Sequence, residues 1–259
     1  MKGTHGLGSV THRMIAGMVM TALASMVVWG LTAPLAGAQT GSTTTSSIVE
    51  RLRELNSAGA EIRQIAFTPA GGAVILHGTN DATWIRAPQN LADKVRELLN
   101  AGTQVRNAAF SPNGWVLLHG TNDATWSGIP QDTADKIREL YAAGNLMKQV
   151  AFTSTGGWIV LHGSNGANWN RIPQSAIDKV TELNRAGVAF RQMAFTPTGG
   201  WVLLHGTNDA TWLGIPQDAA DKIRELYAAG TQMKQVAFTS TGGWIILHGF
   251  NGASWNALP

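Results

Sequence analysis

Residues 188–229 read VAFRQMAFTPTGGWVLLHGTNDATWLGIPQDAADKIRELYAA, and their punctuation divides them into three strands and a helix. Arg191 to Thr196 alternates enough for a strand, and Pro197 to Gly200 is turn chemistry in which glycine permits positive φ. Trp201 to Leu204 is apolar on both faces, as in a strand covered on both sides. Thr207-Asn208-Asp209 forms the next turn, and Ala210 to Leu213 a short third strand. Pro216 opens a helix with Asp218 and Asp221 early, Lys222 and Arg224 later, and Gly230 as its stop. Ala219, Ile223, Leu226 and Tyr227 fall on one stripe, predicted to pack on the meander.

The pattern repeats along the chain. Histidines stand at His77, His119, His162, His205 and His248, and tryptophans at Trp84, Trp126, Trp169, Trp212 and Trp255, with spacings of 42, 43, 43 and 43 in both series. A fixed period of this size marks a solenoid or a propeller rather than independent domains. Ser47 and Glu50 form a capping box for a first helix whose buried face is Ile48, Leu52 and Leu55, ending before Gly59. A helix therefore precedes each of five meanders. An open solenoid needs polar terminal repeats, yet the last copy keeps Trp244, Ile245, Ile246 and Trp255. The fold expected is an α+β repeat protein of five αβββ units in a closed propeller-like ring, with an open α/β solenoid as the alternative.

Residues 108–126, AAFSPNGWVLLHGTNDATW, resemble the first three strands of a WD-repeat propeller blade, with its V-A-F-S-P-D-G turn, small apolar strand and tryptophan-bearing third strand. The resemblance covers about half of each unit and implies a propeller-type fold. It departs in two places: no Trp-Asp dipeptide follows the third strand, and a PQDAADKIRELYAAG-type helix replaces the fourth. The GGW and GIPQ wording is also similar to uncharacterised bacterial repeat proteins, which implies no activity.

The chain has 259 residues, 44% hydrophobic, and a formal net charge of +3. Lys2 and Arg13 lie in an amino-terminal leader with an apolar run from Met14 to Leu31 and the small-residue site Ala36-Gly37-Ala38, so residues 1–38 read as a signal peptide. An uncleaved membrane anchor is the alternative. Residues 39–45 form a polar linker, and 46–259 the five-repeat domain. The leader implies a secreted protein, extracellular or held at the cell envelope. Without the leader, 17 basic face 16 acidic side chains, too even a balance for a nucleic-acid surface. Cysteine is absent, which removes disulfides, thiolate metal sites and cysteine nucleophiles from consideration.

Twelve of the sixteen acids fall on helical segments, leaving Glu61, Asp81, Asp123 and Asp209. A glycan hydrolase using Asp81 and Asp123 is disfavoured, since Gly166 and Gly252 replace the aspartate in the third and fifth copies. No catalytic motif of the metalloprotease, P-loop or nucleophile-elbow kind occurs, and neither enzyme activity nor a cofactor is expected. The five histidines end buried strands and are expected to bond neighbouring carbonyls rather than a metal.

Two repeated features point to a ligand. Asn80, Asp81 and Trp84, with Asn122, Asp123, Trp126, Asn208, Asp209 and Trp212, place an aromatic face beside amide and carboxylate groups, which suits a sugar ring. Packing of these tryptophans between units is the structural alternative. A basic residue recurs at one strand position, at Arg63, Arg106, Lys148, Arg191 and Lys234, where five cations around a channel would attract an anion. The function expected is a lectin-like binding module for a glycan or cell-surface polymer, with a protein-interaction or structural scaffold as the alternative.

Overall fold

The computed structural model describes residues 47–259. The leader and the linker lie outside the described residues. Among the described residues no helix is long and apolar enough to cross a membrane.

Unit one consists of α1 (Ile48–Ser57), β1 (Ile62–Phe67), β2 (Ala73–His77) and β3 (Asp81–Ile85). Unit two follows with α2 (Gln89–Asn100), β4 (Val105–Ser111), β5 (Gly114–His119) and β6 (Asp123–Ser127), and unit three with α3 (Gln131–Ala142), β7 (Met147–Phe152), β8 (Trp158–His162) and β9 (Gly166–Asn170). Unit four holds α4 (Gln174–Arg185), β10 (Phe190–Phe195), β11 (Trp201–His205) and β12 (Asp209–Leu213), and unit five α5 (Gln217–Ala228), β13 (Met233–Phe238), β14 (Trp244–His248) and β15 (Gly252–Asn256). Each unit makes one three-stranded antiparallel meander, and no sheet joins its neighbour through a backbone ladder.

The helix boundaries follow the residues that set them. Ser47 caps α1, with both halves of the capping box formed to Glu50. Pro216 takes the N-cap of α5 rather than its first turn, and Gly230 ends that helix at φ 65, which glycine adopts without cost. The predicted stripe holds for Ala219, Ile223 and Leu226, which are buried, but Tyr227 is 57% exposed and Ala220 is buried in its place. Position 227 lies 100° around the helix from 226, past the edge of the face that meets the sheets.

The helices sit between meanders rather than on one. Leu91, Val95 and Leu98 of α2 pack with Val74 and Leu76 of the first sheet and with Ala108 and Leu117 of the second. Middle strands are therefore apolar on both faces: Val74 and Leu76 face α2, while Ile75 joins α1. Each fully buried Val, Leu or Ile contributes about 1.5–3 kcal/mol, so five such layers supply the core that cysteine cannot. The same kind of layer joins units five and one, where Ile48, Leu52 and Leu55 of α1 pack with Ile65 and Ile75 and with Ile245 and Leu247.

Buried glutamines tie successive first strands. Gln64 bonds Ala108 through both the N–H and the carbonyl, Gln149 does so with Met193, and Gln192 with Val236. Asn107 accepts from the Val150 N–H in the shorter version. Gln235 forms the pair of bonds with Ile65, at 2.8 Å each.

Candidate functional site

The turn and third-strand residues singled out by the sequence fall into two groups. The asparagines face the next unit: Asn122 donates to the Asn145 carbonyl at 2.9 Å and accepts from the Met147 N–H at 2.8 Å, and Asn208 does the same with Thr231 and Met233. Asn80 Oδ1 is buried with no hydrogen-bond partner. Asp81, Asp123 and Asp209 are exposed at the starts of their strands.

The tryptophans are half-buried, each with an arginine of the following helix over its ring: Arg96 at 5.4 Å from Trp84, Arg138 at 5.2 Å from Trp126 and Arg224 at 5.5 Å from Trp212. Strand alternation turns Ala124 and Trp126 toward α3 and leaves Thr125 on the other side. A groove of about 170 Å³ results, lined by Asp123, Ala124, Trp126, Ile137, Arg138 and Tyr141. Tyr141 is 55% exposed and Tyr227 takes the same position in the helix after Trp212, so the β6–α3 and β12–α5 junctions share one set of side chains. These are the only two tyrosines of the chain. Their identical place was legible as a repeat, but the apolar reading of the ring assigned Tyr227 to the core.

Elsewhere the set is incomplete. Leu99 stands at the tyrosine position beside Trp84, and Thr181 and Asn184 replace arginine and tyrosine beside Trp169.

The histidines hold their own hairpins. Nε2 of His77, His119 and His205 lies 2.9–3.0 Å from the hydroxyl of Thr83, Thr125 and Thr211, and His162 and His248 reach Asn168 and Ser254. The partner is thus a side chain six residues on, across the hairpin, where a backbone carbonyl was expected. Burial lowers the affinity of His77, His119 and His205 for a proton, opposed in part by Asp81, Asp123 and Asp209; burial also lowers that of His248. Among the described residues no group of three or more His, Asp or Glu side chains could hold a metal ion.

The basic strand positions act between units. Arg63 donates to the Val105 carbonyl at 3.1 Å, Arg106 to Met147 at 3.0 Å and Lys148 to Phe190 at 3.2 Å, while Arg191 bonds Met233. Lys234 pairs with Glu61 of unit one at 2.5 Å. Burial pulls the pKa of Arg63, Arg106, Arg191 and Lys148 down, the mark of cations drawn partly out of water.

A second concavity lies where the first strands end. Phe67, Phe110, Phe152, Phe195 and Phe238, one from each unit, converge with the following Thr, Ser and Pro residues on a cavity of about 290 Å³ that no charged side chain lines. The A-F-[ST] repetition was visible in sequence, but strand alternation alone does not say that five strand ends meet.

No protein-family model and no curated protein matches the chain. Among solved structures it is similar to YCF48 bound to a D1 peptide, at 14% identity and a TM-score of 0.36, over 73% of this chain and 61% of that one. It is also similar to the Cps50 (Swd1) β-propeller domain of Myceliophteria thermophila, at 9% identity and a TM-score of 0.33, over 76% and 72%. The chain thus spans about three fifths of the YCF48 structure. At that similarity neither neighbour bears on what this chain binds.

Proposed function

We propose that the five units close into a propeller-like ring and serve as a secreted, non-catalytic module that binds glycans at two grooves, one beside Trp126 and α3 and one beside Trp212 and α5. The closed arrangement is supported by the α1 layer and by the Gln235–Ile65 bonds, which repeat between units five and one the paired glutamine bonds that three of the four other pairs of neighbours make. The leader of residues 1–38 supports export.

The observation that carries the glycan reading is the groove in which a half-buried Trp126 stands beside an exposed Tyr141, with Asp123 and Arg138 at its edges. The exposed Tyr141 ring takes the C–H edges of a pyranose, while the Asp123 carboxylate and the Arg138 guanidinium, held over Trp126, bond its hydroxyls. Asn122 and Asn208 serve by fixing the turn through the next unit rather than by touching sugar. A groove of this size suits one sugar residue better than a protein face, which needs a broad contact area.

The test is retention on immobilised polysaccharides and a glycan array by the wild type and by Tyr141→Ala with Tyr227→Ala. Both tyrosines are more than half exposed, so the double variant keeps its melting temperature and loses retention. Retention unchanged in the folded double variant overturns the reading.

A further inference from the structure

Asparagine is followed by glycine three times in the chain, at Asn113-Gly114, Asn165-Gly166 and Asn251-Gly252. In each pair the glycine has no Cβ to shield its backbone nitrogen from the preceding carboxamide. The surroundings of the three differ. Asn165 donates to the Asn184 carbonyl at 3.0 Å, while its own carbonyl accepts from the Asn184 side chain at 2.8 Å. Asn251 accepts from the Ile62 N–H at 3.2 Å, across the contact between units five and one. Asn113 is exposed, and among the described residues nothing bonds its carboxamide.

The hairpin that carries Asn113 departs from the repeat. In units one, three and four a threonine hydroxyl accepts from the glycine N–H that closes the first turn, Thr68 from Gly72, Thr153 from Gly157 and Thr196 from Gly200. Unit two is one residue shorter here: β4 runs on to Ser111, which pairs with Gly114 across Pro112-Asn113, and the Ser111 hydroxyl has no hydrogen-bond partner. That deletion is the 42-residue spacing in a series of 43. A two-residue hairpin loop suits the twist of its strands when its first residue has positive φ, which proline cannot adopt, and Asn113 has no positive φ either. The Ser111–Gly114 pair therefore closes a loop of unfavoured geometry and opens more readily than a pair closed by a primed turn.

We propose that Asn113 is a modification site, at which the folded protein deamidates without an enzyme. The Gly114 nitrogen attacks the side-chain carbonyl carbon of Asn113 and gives its proton to water; the bond from that carbon to Nδ2 breaks, and Nδ2 leaves as ammonia. A second water opens the resulting succinimide at one of its two carbonyls, which yields aspartate or isoaspartate with no change of oxidation state. Isoaspartate routes the backbone through the former side chain and lengthens it by one carbon, in the hairpin that is a residue short. Either product puts a carboxylate into a concavity whose lining holds one charged side chain, Arg171, itself 3.8 Å from Asp132. The modification thus removes the net positive charge of that lining.

The experiment ages the full chain at mildly alkaline pH, folded and in urea, and follows each asparagine by peptide mapping, with aspartate and isoaspartate told apart by fragmentation. In urea the three pairs are expected to convert at comparable rates. In the folded protein Asn113 is expected to convert first, slowed by about tenfold or less, since only the Ser111–Gly114 pairing must open. Asn251 and Asn165 are expected to be slower than Asn113 by about fivefold and about thirtyfold, for the one and two further hydrogen bonds that hold them. The first acidic isoform seen on ion exchange should be missing from aged Asn113→Gln, because glutamine must form a larger ring. The proposal is overturned if Asn165 or Asn251 converts first in the folded protein, if folding suppresses Asn113 as strongly as the other two, or if folded Asn113 stays intact after the urea sample has converted.

Discussion

The side-chain amide of Gln235 brackets Ile65, accepting from its N–H and donating to its carbonyl at 2.8 Å each, across 170 residues of chain. Gln149 holds Met193 in the same way across 44. Removing either amide strips two buried backbone groups of partners, at about 1–3 kcal/mol apiece. Gln235→Ala and Gln149→Ala are therefore expected to lose similar stability, about 2–5 kcal/mol, in denaturant titrations. An open chain of units would make the Gln235 change the cheaper one by far. By contrast Glu61→Gln, which breaks a partly exposed ion pair to Lys234, should cost about 1 kcal/mol or less.

The hairpin turns leave no room at Gly200. A Cβ there would lie 2.0 Å from the Gly214 carbonyl oxygen and 2.5 Å from its carbon, both backbone atoms fixed by the pairing of Trp201 with Leu213. Gly200→Ala should lower stability by about 3 kcal/mol, read as a shifted thermal midpoint. Thr198→Ala, at an exposed residue of the same turn, should leave the midpoint nearly unchanged and provides the control.

The repeat, its three strands and its helix were legible because period, turn residues and apolar pattern are local properties. What was not legible depends on atoms far away in sequence. Asn122 and Asn208 look like exposed turn residues until their partners, 23 and 25 positions on, are known. The arginines at the strand starts look like a charged channel for the same reason, yet each reaches the carbonyl of a neighbouring unit. Tyr227 was misplaced because helical periodicity fixes the centre of a buried face better than its edge, and the amphipathic ring of tyrosine sits at either. The short spacing before His119 was plain in the sequence, but only the threonine bonds of the other units show what Ser111 lacks.

Acid should weaken the fold through its histidines. The folded state lowers the proton affinity of His77, His119, His205 and His248, with burial the leading cause, whereas in the unfolded chain they titrate near 6.5. Below about pH 6.5 the unfolded state binds more protons, so stability falls with falling pH until the folded-state pKa values are passed, then levels off. Unfolding midpoints measured from pH 8 to 5 are expected to decline over that window, and His119→Gln, which keeps a group able to bond Thr125, should flatten the decline. A profile that stays level would show that the buried imidazoles do not differ between the two states.

The grooves are expected to number two per chain. Asp, Trp, Arg and Tyr occur together only as Asp123, Trp126, Arg138 and Tyr141 and as Asp209, Trp212, Arg224 and Tyr227. Beside Trp84, at the β3–α2 junction, Leu99 replaces the tyrosine and is largely drawn into the core. The β9–α4 junction lacks the aspartate, arginine and tyrosine together, with Gly166, Thr181 and Asn184 in their places. Titration with a short soluble oligosaccharide, once one is identified, should give a stoichiometry of two. Tyr141→Ala should reduce it to one without changing the affinity of the remaining site, because the grooves sit on different sheets and share no side chain. Against a long polymer the same variant should lose far more than half its apparent affinity, since two linked contacts reinforce each other by 10²–10⁴-fold and one does not. Asp123→Asn in place of Tyr141→Ala should weaken one site by about 1.5–3 kcal/mol while the stoichiometry at saturation stays at two. A stoichiometry of five would instead assign binding to the tryptophans alone, and one site per chain would assign it away from the grooves altogether.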